Sequence, residues 1–137
     1  MSPTAHAEQL IRGRRATRAF RPDPVPDATL RDVFTLAGAA PSNSNTQPWH
    51  VEVVSGATRD RLADALAAAH DRGETSPDFP VAERPHRDVH QRRRSEAGEL
   101  MYGAVGIRRE DRAGRAAYNA RSLRFYGAPH VALLFTG

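Results

Sequence analysis

The chain has 137 residues and no cysteine, with 20 basic side chains against 16 acidic ones and a formal charge of +4. That length sustains one core of moderate size and predicts a single domain over residues 1–137. The missing cysteines exclude disulfides, thiolate-held zinc, iron–sulfur clusters and thiol nucleophiles, so any redox chemistry has to come from a bound cofactor.

All 20 basic residues are arginine. Arginine's planar fork suits phosphate and nucleic acid, but these arginines are dispersed among acids, as a general replacement of lysine would leave them. The tightest groups are Arg14-Arg15 with Arg18, and Arg92-Arg93-Arg94. The opening MSPTAHAEQL has neither a basic start with an apolar core nor a small-residue cleavage signal, and no apolar run reaches membrane-spanning length. These features predict a cytoplasmic protein with no membrane partner.

In chain order, Thr4 is placed to cap a helix with Ala7, Leu10 and Ile11 on its apolar face and Gly13 at its end. After Arg14 to Phe20, Pro22, Pro24 and Pro26 forbid regular helix and impose an extended connector. Asp27 restarts a helix running to about Ala40, with Leu30, Val33, Phe34 and Ala37 at the spacing of one buried face. Residues Pro41 to Pro48 form a polar loop bounded by prolines. The valine-rich Trp49 to Ser55 is a strand that Gly56 ends. A helix capped by Thr58 follows, lined by Leu62, Ala65, Leu66 and Ala69.

Residues 73–87 hold three prolines without periodicity and predict an irregular connection. Val89 to about Gly103 and Asp111 to Tyr126 read as helices, the second with Ala113, Ala116, Ala117, Ala120 and Leu123 at core spacing. His130 to Phe135 is almost wholly apolar, as in a strand buried on both faces. Such a strand needs neighbours, and the sequence offers only one other. A two-stranded sheet is marginal alone, so the expectation is a C-terminally truncated chain or one completed by another subunit.

Several chemistries are disfavoured by their context. His86 and His90 have helical metal-pair spacing but no third ligand, so no metal is expected. Ser42 and Ser44 lie in no nucleophile elbow and have no base. No glycine-rich nucleotide signature occurs. Arg92 to Arg94 sit beside Glu96 and Glu99, as on a solvated helix face.

Two segments remain unexplained by these readings, Arg14-Arg15-Ala16-Thr17-Arg18-Ala19-Phe20 and Ala40-Pro41-Ser42-Asn43-Ser44-Asn45-Thr46-Gln47-Pro48-Trp49-His50. In order and spacing they resemble the nitroreductase family: an R-R-S-x-R-x-F element, a proline-rich connector, one helix, then A-P-S-x-x-N-x-Q-P-W and a strand. Phe125-Tyr126-Gly127-Ala128-Pro129 before an apolar strand resembles the family's next element, so the likeness spans essentially the whole chain.

The resemblance implies an α+β nitroreductase-like fold, a central β-sheet flanked by helices, here without the family's C-terminal helices, strands and arm. It implies FMN as cofactor, NAD(P)H as electron donor and a nitroaromatic, quinone or related small molecule as acceptor, in a ping-pong reaction with no catalytic side chain. Arg14, Arg15 and Arg18 would bind the ribityl chain and phosphate. Pro41, Ser42, Asn43 and Asn45 would reach the flavin of the other subunit of a homodimer, and Arg121 would add a contact to the ring, its alternative being an ordinary surface arginine. Ala16 stands where the family has serine, a lost donor worth about 1 kcal/mol. Two other classes stay open: an inactive fragment without a complete flavin site, and an arginine-rich nucleic-acid binder, whose binding would be strongly salt-dependent. The flavin reading implies no nucleic-acid partner.

Overall fold

Pairing of the two apolar strands organises the chain. In the computed structural model, which describes residues 2–74, 76–77 and 88–136, β1 (Trp49–Ser55) and β2 (His130–Thr136) form an antiparallel sheet. Its register runs from Trp49 opposite Thr136 to Ser55 opposite His130. Both strands fall where valine and leucine density puts them. Between them the chain makes three helices, α3 (Gly56–Asp71), α4 (Asp88–Gly103) and α5 (Arg112–Ala120), and a 3₁₀ segment over Arg121–Gly127. Two helices precede the sheet, α1 (Pro3–Gly13) and α2 (Asp27–Ala37).

Helix boundaries depart from expectation for local reasons. Ser2, not Thr4, caps α1, because its hydroxyl accepts from the Ala5 N–H and Pro3 can occupy the first turn without a donor. Helix α3 begins at Gly56 itself, whose φ of +52° lets the chain turn straight from strand into helix. Thr58 instead accepts from Arg61. Helix α2 ends at Ala37, three residues early, in a turn closed by the Gly38 N–H on the Phe34 carbonyl. Most of the 73–87 connection, with His86, lies outside the described residues.

The last helix differs most. Regular α-helix stops at Ala120, and the chain tightens into 3₁₀ turns in which Phe125 and Tyr126 take φ of +55° and +53°. Positive φ in aromatic residues is strained backbone. The alanine face expected inward is exposed; Tyr118 is buried instead, at 7% exposure, packed edge-on to Tyr102 at 5.8 Å. One large ring sets the facing of α5 more strongly than four methyl groups do. In α3 the buried position is Ala63, flanked by half-buried Leu62 and Ala67, while Ala65 and Leu66 face outward.

The strand β2 is not enclosed on both faces. Its first half is partly buried, but Leu134 and Phe135 are 70% and 50% exposed. The whole chain exposes 11745 Å², whereas a compact protein of this mass exposes about 7,000 Å². Apolar residues including Leu10, Ile11, Val33 and Leu36 contribute to that excess.

The close of the 3₁₀ segment tests this backbone. Gly127 has φ of +79°, and a Cβ there would stand 3.7 Å from the Phe20 carbonyl oxygen, an ordinary contact. The cost of Gly127→Ala is therefore conformational, about 1 kcal/mol. Urea unfolding is expected to show a lower midpoint with unchanged slope; an unmoved midpoint would refute the left-handed turn.

Candidate functional site

The arginine-rich segment leaves α1 and runs extended against the 3₁₀ turns. The Phe20 N–H donates to the Tyr126 carbonyl at 3.2 Å, and Arg121 donates through Nη2 to the Arg18 carbonyl at 3.2 Å. Arg121 also lies over the Tyr118 ring, 5.5 Å from its centroid. Two residues far apart in sequence are thereby joined, and Arg121 acts on the arginine segment itself. Farther along, the Val25 N–H donates to His130 Nε2 at 2.9 Å, fastening the proline connector to the start of β2.

The three arginines of the segment are placed differently. Arg15 turns back, its Nη1 donating to the carbonyls of Arg12 at 2.9 Å and Arg14 at 3.1 Å, where it covers carbonyls left open at the end of α1. Arg14 is exposed. Arg18 lines a cleft of about 680 Å³ against α4 and the turn after it, together with Arg94, Arg109 and Arg115. This second arginine group escaped the sequence reading, which treated Arg92 to Arg94 as one solvated face. Arg92 behaves that way, 3.6 Å from Glu96. Arg94 lines the cleft instead. Its signal was the helical spacing that turns neighbouring residues to different sides.

The polar loop is ordered by its own hydrogen bonds. Ser42 Oγ accepts from the Gln47 N–H at 2.9 Å, the Ser42 carbonyl accepts from the Asn45 N–H at 3.1 Å, and the Asn43 carbonyl accepts from both the N–H and the hydroxyl of Thr46. Ser44, Asn45 and Gln47 all have positive φ, between +46° and +54°. Asparagine tolerates that region, serine and glutamine less so. Pro41, Asn43 and Asn45 are exposed and Ser42 is half-buried with its hydroxyl proton still free to donate. Among the described residues no hydrogen bond joins this loop to Arg14, Arg15 or Arg18. Strained backbone thus occurs in two of the candidate segments, the loop and the 3₁₀ turns that hold the arginine segment.

Elsewhere, Arg72 grips Glu74 through Nε and Nη2, which holds the Glu74 carboxyl below its usual range and the Arg72 guanidinium above its own. Both side chains are open to solvent, so this is a surface clamp after α3.

A sequence profile described as the Nitroreductase family matches residues 11–136. The chain belongs to the nitroreductase family. It is 61% identical over 129 residues to nitroreductase NfnB of Mycolicibacterium smegmatis, covering 94% of this chain and 55% of that protein. It is 38% identical over 131 residues to 4-nitrobenzoate reductase of Pseudomonas putida, covering 94% and 56%. The crystal structure of the FMN-dependent nitroreductase NfnB from Mycobacterium smegmatis in complex with NADPH superposes with a TM-score of 0.90 at 58% identity, over 98% of this chain and 61% of that one. The fold is therefore the nitroreductase fold, and the chain spans a little over half the length of the curated relatives it matches.

The loop's internal order is open to test. Ser42→Ala removes the acceptor for the Gln47 amide, and amide hydrogen exchange at Gln47 is expected to speed by about fivefold, as loss of one bond worth about 1 kcal/mol predicts. Unchanged exchange at Gln47 would show that Ser42 does not order the loop.

Proposed function

We propose that this nitroreductase-family chain supplies the flavin-handling part of an FMN-dependent, NAD(P)H-using oxidoreductase that reduces a nitroaromatic, quinone or related acceptor. The observation that carries the reading is the anchoring of the arginine segment by Phe20–Tyr126 and Arg121–Arg18, which presents guanidinium groups from a fixed backbone. FMN fits that donor set, because its dianionic phosphate needs several fixed cationic donors. Support also comes from relatives whose names specify FMN, NADPH and nitroaromatic reduction.

In this reading Arg14 and Arg18 bind the ribityl chain and phosphate, and Arg15 contributes whichever N–H groups its bonds to α1 leave over. Arg121 holds the Arg18 backbone and would add a contact to the flavin ring. FMN held by these residues would supply two-electron transfer from the nicotinamide donor to the acceptor, in a ping-pong order. The chain's own residues bind, orient and exclude water, and none acts as acid, base or nucleophile.

The reading includes a homodimer. Apolar side chains such as Leu134 and Phe135 stand open at the surface, and Pro41, Ser42, Asn43 and Asn45, which make no hydrogen bond to Arg14, Arg15 or Arg18 among the described residues, would reach a partner's flavin. The cytoplasm, where nicotinamide donors are regenerated, is the compartment this function needs. A second reading, an inactive fragment without a complete flavin site, is favoured by the 55–61% of each relative that the chain spans.

Visible absorption of the purified, desalted chain after incubation with FMN separates the two. Retained flavin that bleaches on anaerobic addition of NADPH or NADH is expected, with Arg18→Ala weakening FMN binding by about tenfold. A colourless protein after desalting would leave the fragment reading.

A further inference from the structure

We infer that the cleft between α4, the turn after it and Arg18 binds the phosphorylated adenosine end of the nicotinamide donor, with Arg94 and Arg109 selecting the 2′-phosphate and so NADPH over NADH. The inference deepens the oxidoreductase reading and rests on it, because that reading puts Arg18 at the flavin and makes the adjoining cleft the approach to it.

The composition of the cleft carries the argument. Four arginines line it against a single carboxylate, Glu99, whose contact with Arg109 is long at 3.4 Å. Arg115 is half-buried, and its Nε is buried without a hydrogen-bond partner, an unsatisfied donor in a guanidinium that stands 6.0 Å from the centroid of Tyr102. A cluster of this sign is unfavourable while empty and becomes favourable around a dianion. One arginine suffices for a carboxylate, whereas a phosphate monoester offers three oxygens to several forks at once.

The remaining wall is mixed, with Gln91 and Ser95 beside apolar and aromatic side chains. Tyr102, Met101 and Ile107 line the same space. A planar heterocycle can lie there beside guanidinium groups, which stack on aromatic faces. Tyr102 is held in place, since its hydroxyl donates to Asn119 Oδ1 at 3.1 Å and its ring meets Tyr118. A volume of about 680 Å³ admits a nucleotide-sized ligand. Ring, phosphate and adjacency to Arg18 together specify the adenosine 2′-phosphate end of the donor better than a small acidic acceptor, which would leave most of the arginines unmatched.

Isothermal titration of the full chain with adenosine 2′,5′-diphosphate and with 5′-AMP tests this without any turnover. The diphosphate is expected to bind about tenfold more tightly, and the double variant Arg94→Ala/Arg109→Ala to lose that advantage. Arg92→Ala, which removes one charge from α4 outside the cleft, is expected to keep it within about twofold, so that a general loss of charge on that helix is controlled. Equal binding of the two nucleotides by the unaltered chain overturns the inference, as does an equal loss in Arg92→Ala. Displacement of the diphosphate by 4-nitrobenzoate but not by NADPH also overturns it, in favour of an acidic acceptor. A chain that holds FMN yet does not tell the nucleotides apart refutes this inference alone; one that tells them apart yet holds no FMN supports the cleft and refutes the flavin reading.

Discussion

The backbone bridge between the arginine segment and the 3₁₀ turns is the constraint on which the remaining architecture depends. Two hydrogen bonds, Phe20 N–H to the Tyr126 carbonyl and Arg121 to the Arg18 carbonyl, join parts of the chain more than one hundred residues apart. They do so where Phe125 and Tyr126 are held in a left-handed conformation that costs such residues about 1–3 kcal/mol each. Strain of that size persists only if its surroundings fix it. Here the fixing elements are the segment carrying Arg18, the Arg124–Asp64 pair at 2.9 Å linking the turns to α3, and β2 beginning three residues beyond Gly127. Loosening the bridge would release Arg18 from the cleft and the strand from its start.

The sheet itself is underbuilt for an apolar strand like β2. Buried large side chains are few, with Ala63 and Tyr118 the residues below a tenth exposed among those described. Two antiparallel strands without a covering layer are marginal in water, and the exposed Leu134 and Phe135 continue an apolar row that begins partly buried at His130. A second, shallower opening of about 550 Å³ separates Leu30 and Phe34 of α2 from Val51 and Val53 of β1, so even the expected face of α2 does not close on the sheet. This opening and the exposed end of β2 leave apolar side chains of the sheet and of α2 without a covering layer among the described residues.

What the sequence made legible follows the strength of local physics. Valine density set β1 to the residue, prolines set the connector, and the proline-bounded polar segment was recognisable as a loop, although Asn43–Asn45 make one 3₁₀ turn within it. Its two consecutive left-handed residues, Ser44 and Asn45, were not legible, since serine does not announce positive φ as glycine does. The end of α5 was missed because alanine spacing continued past Ala120 while Tyr118 took the buried position and the bridge to Phe20 pulled the following turn tight. Arg14, Arg15, Arg18 and the loop asparagines were singled out as candidates through a family likeness, whereas Arg94, Arg109 and Arg115 come together only in three dimensions.

The exclusive use of arginine looks like bias from composition alone, and most of these side chains behave accordingly. Arg12 with Glu8, Arg21 with Asp23, Arg72 with Glu74 and Arg92 with Glu96 form exposed pairs that contribute little. The same substitution has a different consequence where the arginines converge. A lysine in a crowded basic cleft can shed its proton when neighbours raise the local potential, but a guanidinium cannot. The cleft lined by Arg18, Arg94, Arg109 and Arg115 gathers four such groups in one place. Glu99 is the one carboxylate among the residues lining that cleft. A background property of the chain becomes, in one cleft, a concentration of positive charge that no single exposed pair supplies.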